Sequence, residues 1–270
     1  METAATDSTK QSAFISYLDG ETGKVLAQDQ VEGAADQPIN YDATTQLTVL
    51  NKRGYVLAYN GYPQDAEYQI NDQMNQVFAV IMRHDRKKIQ PTDDLPANVQ
   101  LPAMADYHQV YTATVNFVDY NGQSIKAPVV QSALWTRPLI WDRVTNQVAV
   151  DTQTEWTTTT AEYQAVTVPV VNGYFADRRL IDGQSAAQHD LAETVIYREF
   201  GRAIPVLADG TPIKGAAAVE FKNDPDDPTK ALADQAAPQI SGYRPVQPTF
   251  TPQDPARDMQ VAYKPVADAN

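Results

Sequence analysis

Short apolar runs with a period of two dominate this chain, and three of them end alike. Phe14-Ile15-Ser16-Tyr17-Leu18-Asp19 runs into Gly20 and Gly23, and Val115-Asn116-Phe117-Val118-Asp119 into Asn121-Gly122. Ala203-Ile204-Pro205-Val206-Leu207 runs into Asp209-Gly210. Alternating apolar positions before Asp-Gly or Asn-Gly predict a strand entering a hairpin. Downstream of each run comes a Gly-Tyr pair: Gly54-Tyr55, Gly173-Tyr174 and Gly242-Tyr243. Each pair is followed by an apolar closing strand, about Val77–Met82, Thr194–Tyr197 and Met259–Tyr263. The same order three times over predicts an array of related units.

The units fall at about 12–88, 105–199 and 200–266. Residues 89–104 between the first two carry Pro91, Pro96 and Pro102, which predicts a semi-rigid linker. In unit one, strands are expected near 13–19, 24–31, 55–59 and 76–83, with a helix over Ala43–Arg53. Asp42 is placed to cap that helix, Leu47 and Leu50 lie on one face, and Gly54 supplies the left-handed residue that ends it. The order ββαββ predicts a β-grasp (ubiquitin-like) fold. Unit two has no helical window, and its Glu155-Trp156-Thr157-Thr158-Thr159-Thr160 run is β-prone. Unit three is Pro-rich and holds the turn segment Asn223-Asp224-Pro225-Asp226-Asp227-Pro228-Thr229-Lys230. The expected class is therefore α+β and mostly β: an elongated tandem array, β-grasp first, then antiparallel β-rich units.

The net charge of −13 argues against a nucleic-acid partner, which needs a positive face. With no Cys there is no disulfide framework, thiol nucleophile or thiolate metal site. Hydrophobic residues make up 43%, enough for folded cores. No apolar run approaches the roughly 18 residues of a membrane span, so membrane insertion is not expected. Met1 to Gln11 is polar and lacks a leader's apolar stretch, so the chain is expected to be a piece of a longer protein.

Catalytic patterns are missing from the sequence. His84, His108 and His189 lie in separate segments without metal-ligand spacing and are read as solvated or interface side chains. No nucleophile elbow and no phosphate-binding Gly motif occurs. The pairs Asp93-Asp94 and Asp226-Asp227 sit in a linker and a turn, where no shielded pocket would tune a glycosidase acid. The chain is thus read as no enzyme. Asp224, Asp226 and Asp227, beside Asn223, are candidate Ca²⁺ ligands, set against a plain solvated turn; no other cofactor is expected.

Recognition chemistry concentrates in unit two, where all 3 Trp of the chain occur. Trp135, Trp141 and Trp156 offer faces for sugar C–H surfaces, and Arg137 can grip a carboxylate with two N–H groups. The same Trp residues could instead fill a small β core. Arg178-Arg179 is a local basic spot for an acidic glycan or a solvated turn.

Several of these motifs carry a family likeness. Tyr17-Leu18-Asp19, Thr22-Gly23-Lys24 and Lys52-Arg53-Gly54-Tyr55-Val56-Leu57 resemble the mucin-binding (MucBP) domain of Gram-positive bacteria. Val115-Asn116-Phe117-Val118-Asp119 and Val168-Pro169-Val170-Val171-Asn172-Gly173-Tyr174 resemble the second half of a Mub repeat from lactobacillar mucus adhesins. Unit three is similar to a Pro-rich module of the same adhesins, with Gly242-Tyr243-Arg244-Pro245 and Thr251-Pro252-Gln253-Asp254-Pro255 closing it. The resemblance implies a monomeric, non-catalytic fragment of an extracellular, wall-anchored surface adhesin. Its implied partners are host mucin glycoproteins and their glycans, sialylated ones included. The alternatives are binding of immunoglobulin or another host protein, and a spacer role in the adhesin stalk.

Overall fold

A computed structural model describes residues 10–70, 75–95 and 99–266. The polar N-terminus before Lys10 and Pro96 of the linker lie outside the described residues. Contacts divide the chain into two compact units: one of residues up to Gln109 with Thr136–Thr157, the other of Val110–Trp135 with Thr158 onward. Residues 136–157, part of the stretch read as the second repeat, have their contacts with the N-terminal one.

In the N-terminal unit the strand Lys10–Asp19 pairs antiparallel with Val25–Ala34 and parallel with Gln76–His84, which pairs antiparallel with Tyr55–Asn60. The one α-helix among the described residues, Thr44–Lys52, covers this sheet. Ile15, Tyr17, Leu50, Tyr55, Val80 and Met82 form its buried core. The helix begins one residue later than expected. Ala43 stands at the cap position, and Asp42 accepts the Thr44 N–H at 2.9 Å from one residue outside. Gly54 ends it at φ +93°, a left-handed value that favours glycine.

A sheet absent from the sequence reading completes this unit. Arg86–Ile89, inside the expected repeat end and linker, pairs with Leu139–Asp142, which pairs with Gln147–Val150. Four-residue strands such as Arg-Lys-Lys-Ile carry too little alternation to stand out from a loop. A small core of Tyr107, Leu139 and Val148 lies under it.

The other unit repeats the strand order twice. In one sheet the neighbours are Ser124–Thr136, His108–Asp119, Leu191–Glu199 and Tyr174–Ala176, with a short strand at one edge. In the other they are Val219–Glu220, Arg202–Leu207, Met259–Pro265 and Tyr243–Pro245. These sheets were expected to be antiparallel, and they are mixed: opening and closing strands run parallel in both. A strand that returns after a long connection can enter in either direction, and side-chain alternation is blind to that choice. Tyr197 and Tyr263, fully buried on the closing strands, donate to the carbonyls of Pro169 at 2.6 Å and Pro238 at 2.8 Å.

Candidate functional site

The segment 136–157 is built outward from its hairpin. Asp142 Oδ1 accepts the N–H groups of Val144 (2.9 Å) and Thr145 (3.1 Å), which shapes the turn. Asn146 then takes φ +58° and receives the Trp141 indole N–H on its side-chain oxygen at 3.1 Å. On the next strand Val148 packs into the small core, with Trp141 partly covered against it. At the segment's end Asp151 pairs with Lys88 at 2.9 Å and accepts the Thr154 hydroxyl. Thr154 first, then Lys88, hold the Asp151 carboxyl down at about 2. At its start, Arg137 donates its backbone N–H to Tyr107 O at 3.0 Å, and Asp151 N–H reaches Pro138 O at 2.9 Å.

These anchors bring Arg137 and Trp156 together across the base of the segment. The Arg137 guanidinium lies 4.9 Å from the centre of the Trp156 ring. A cation over an indole face at this distance is held by cation–π attraction. The buried Arg137 Nε has no hydrogen-bond partner among the described residues. A buried donor without an acceptor costs about 1–3 kcal/mol.

The remaining residues singled out by sequence have other settings. Trp135, on the strand Ser124–Thr136, has its own indole N–H buried without a partner. Trp141 is occupied by Asn146. Arg178 meets Asp177 at 3.5 Å and Glu193 at 3.6 Å, and Arg179 beside it is exposed.

The acidic turn of unit three is engaged with its own backbone. Asp224 Oδ1 accepts the N–H groups of Asp226 (2.8 Å) and Asp227 (3.1 Å). Asp227 accepts the Thr229 hydroxyl and pairs with Lys230 at 3.0 Å, which together hold it at about 2. Asn223 faces the other way: it accepts the Gly173 N–H and donates to the carbonyls of Val171 and Tyr174. Among the described residues no group of three or more metal-ligand side chains comes together. No helix among them is long and apolar enough to cross a membrane.

One cluster escaped the sequence reading. His84, expected to be solvated or at an interface, is 6% exposed and sits between Asp19 and Asp142. Its partners are 65 and 58 residues away along the chain, so no local spacing could have pointed to them.

Comparison with known proteins places two stretches of the chain in known domain families. Residues 11–84 match the family model described as a mucin binding domain, and residues 102–201 match that of a Muc B2-like domain. The chain thus carries, in tandem, two domains of the Mub and MucBP class that its motifs resemble. Among solved structures it is similar to the type 2 repeat of the mucus binding protein MUB from Lactobacillus reuteri. The identity there is 25%, over 70% of this chain and 99% of that one, with a TM-score of 0.45. It is also similar to the MucBP domain of an adhesion protein from Pediococcus pentosaceus, at 28% identity over 34% and 98% of the two chains, TM-score 0.28. The mucin-binding domain of Spr1345 from Streptococcus pneumoniae is 25% identical over 34% and 91%, TM-score 0.29. A search of curated protein sequences finds no match.

Proposed function

We propose that this chain is a binding module of a bacterial surface adhesin, and that it holds host mucus glycoproteins by their acidic glycans. The observation that carries the reading is the Arg137 guanidinium, lying over the Trp156 ring without a carboxylate partner among the described residues. An indole face packs against the C–H side of a sugar ring, and an arginine fork grips a sialic-acid carboxylate or a sulfate with two charge-assisted bonds. The family matches at 11–84 and 102–201 support the choice of mucin over other acidic polymers. A chain of net charge −13 gains no long-range pull toward an acidic glycan. Binding then rests on short-range contact, weak per module and strengthened by repetition in the parent protein. The proposed module acts extracellularly, as a monomer, without a metal and without cleaving its ligand.

The test is surface binding of the full chain to purified intestinal mucin, before and after sialidase, with immunoglobulin G in a parallel channel. We expect the mucin signal to fall on sialidase treatment, and Arg137→Gln to weaken binding by about tenfold or more, as loss of a charge-assisted contact predicts. Chelator should leave the signal unchanged. Equal binding by wild type and Arg137→Gln overturns the assignment, and indifference to sialidase moves the acidic group from sialic acid to sulfate. Binding retained on deglycosylated mucin, or found for immunoglobulin alone, moves the partner to protein. No signal at all leaves a spacer, and released sugar would make the chain an enzyme.

A further inference from the structure

The N-terminal unit holds a buried histidine that the recognition pair does not use. His84 ends the strand Gln76–His84. Its Nδ1 lies 2.7 Å from Asp142 Oδ2 and its Nε2 lies 3.4 Å from Asp19 Oδ2. Asp19 ends the first strand of the N-terminal sheet, and Asp142 ends a strand of the small sheet. A neutral imidazole carries one N–H and one lone pair. With a carboxylate oxygen facing each nitrogen, the neutral ring would aim its lone pair at a negative oxygen whichever tautomer it chose. The imidazolium donates to both.

We infer that His84 is a proton-dependent clasp: as the imidazolium it fastens the hairpin of residues 139–150 to the N-terminal sheet, and on losing its proton it loosens that hold. His84 is thus a positioning residue for the segment that bears Arg137 and Trp156. That last bearing rests on the reading proposed above, whereas the clasp itself does not.

The charges around the ring agree with this sign. Glu21 Oε2 is 3.9 Å from Nδ1, so three carboxylates face the histidine. Arg86 answers them in part, 2.6 Å from Glu21 and 3.4 Å from Asp142. Asp85 and Arg143 pair with each other at 2.7 Å alongside. The Tyr55 ring meets the imidazole edge-on at 5.5 Å, and the Arg53 guanidinium lies 5.9 Å from the centre of the Tyr55 ring. Burial by itself pushes His84 down. The hydrogen bond and charge of Asp142, then Asp19 and Glu21, outweigh it, so the net direction is up. Burial likewise pushes Asp142 and Asp19 up, and hydrogen bonds, including those from His84, carry both below the ordinary range. A raised histidine stabilises below its ordinary value and loses that contribution as pH rises through its folded value; the lowered carboxylates lose theirs only in stronger acid.

The test uses the full chain. Imidazole ¹⁵N shifts of His84, assigned through its contact with Tyr55, are followed from pH 5 to 9, with thermal unfolding of wild type and His84→Gln over the same range. The expected result is two protonated ring nitrogens at pH 6.5. The wild-type melting temperature should then fall toward pH 9 more steeply than that of His84→Gln. The folding equilibrium constant should lose about tenfold for each unit by which the folded value exceeds the ordinary one. A neutral tautomer at pH 6, or parallel melting profiles, overturns the clasp. If His84→Gln does not fold, the ring-nitrogen shifts decide alone. Absence of mucin binding by wild type would sink the recognition reading and leave these readouts untouched.

Discussion

Two of the Gly-Tyr pairs that repeat along this chain each receive a turn from a later segment, and the two seats are built from opposite materials. At Gly54-Tyr55 the arriving turn is 142–146. Gly54 O accepts the Asp85 N–H, Asp85 O accepts the Arg143 N–H, and a Cβ on Gly54 would stand 2.5 Å from the Arg143 backbone. The cement is ionic: His84, Asp19, Glu21, Asp142, Arg86 and the Asp85–Arg143 pair. At Gly173-Tyr174 the arriving turn is 223–228. There one neutral amide, Asn223, makes three hydrogen bonds, and Ala176 N–H reaches Pro228 O at 2.7 Å. The third pair, Gly242-Tyr243, has open space where a Cβ on Gly242 would point. The ionic seat holds a histidine whose carboxylate neighbours favour its charged form, and the amide seat is held by a side chain that does not titrate.

The largest effect should come from the ionic seat's glycine. Gly54→Ala forces a side chain to φ +93° and into the Arg143 backbone. The expected loss is about 3 kcal/mol, from left-handed strain and overpacking together, read by denaturant unfolding. Asn223→Ala is expected to cost about 2 kcal/mol, because it strands the Gly173 N–H and takes a donor from the carbonyls of Val171 and Tyr174. That loss should be the same at pH 6 and pH 8.5. A pH-dependent cost for Asn223→Ala, or a negligible one for Gly54→Ala, would erase the contrast between the seats.

Much of the framework was written in local pattern. Asp19, Asp119 and Asp209 each accept N–H groups of the turn that follows, as the Asp-Gly and Asn-Gly signals imply. Gly54, Gly173 and Gly242 all take positive φ before the strand that begins at the next Tyr. The helix was visible through Leu50, its buried residue, and through Gly54. Strand direction was hidden, because alternation reports faces and carries no polarity along the sheet. The small sheet was hidden by the shortness of its strands. Within the recognition group, composition singled out Arg137 and Trp156, but their contact is made only in the folded segment, near the Lys88–Asp151 pair at its end. The Asn223–Lys230 turn was noticed for its oxygens, and its Asn223 side chain faces the Gly173–Tyr174 backbone. His84 carried no signal, because a buried ionic cluster is a product of the tertiary fold.

The contrast between the seats is tested most directly by hydrogen exchange on the full chain at pH 6 and pH 8.5, corrected for the intrinsic pH dependence of exchange. The account predicts that amides of Leu139–Asp142 and Gln147–Val150 lose protection at the higher pH, while Gly173 and Tyr174–Ala176 keep theirs. Equal change at both seats, or none at the first, would contradict it.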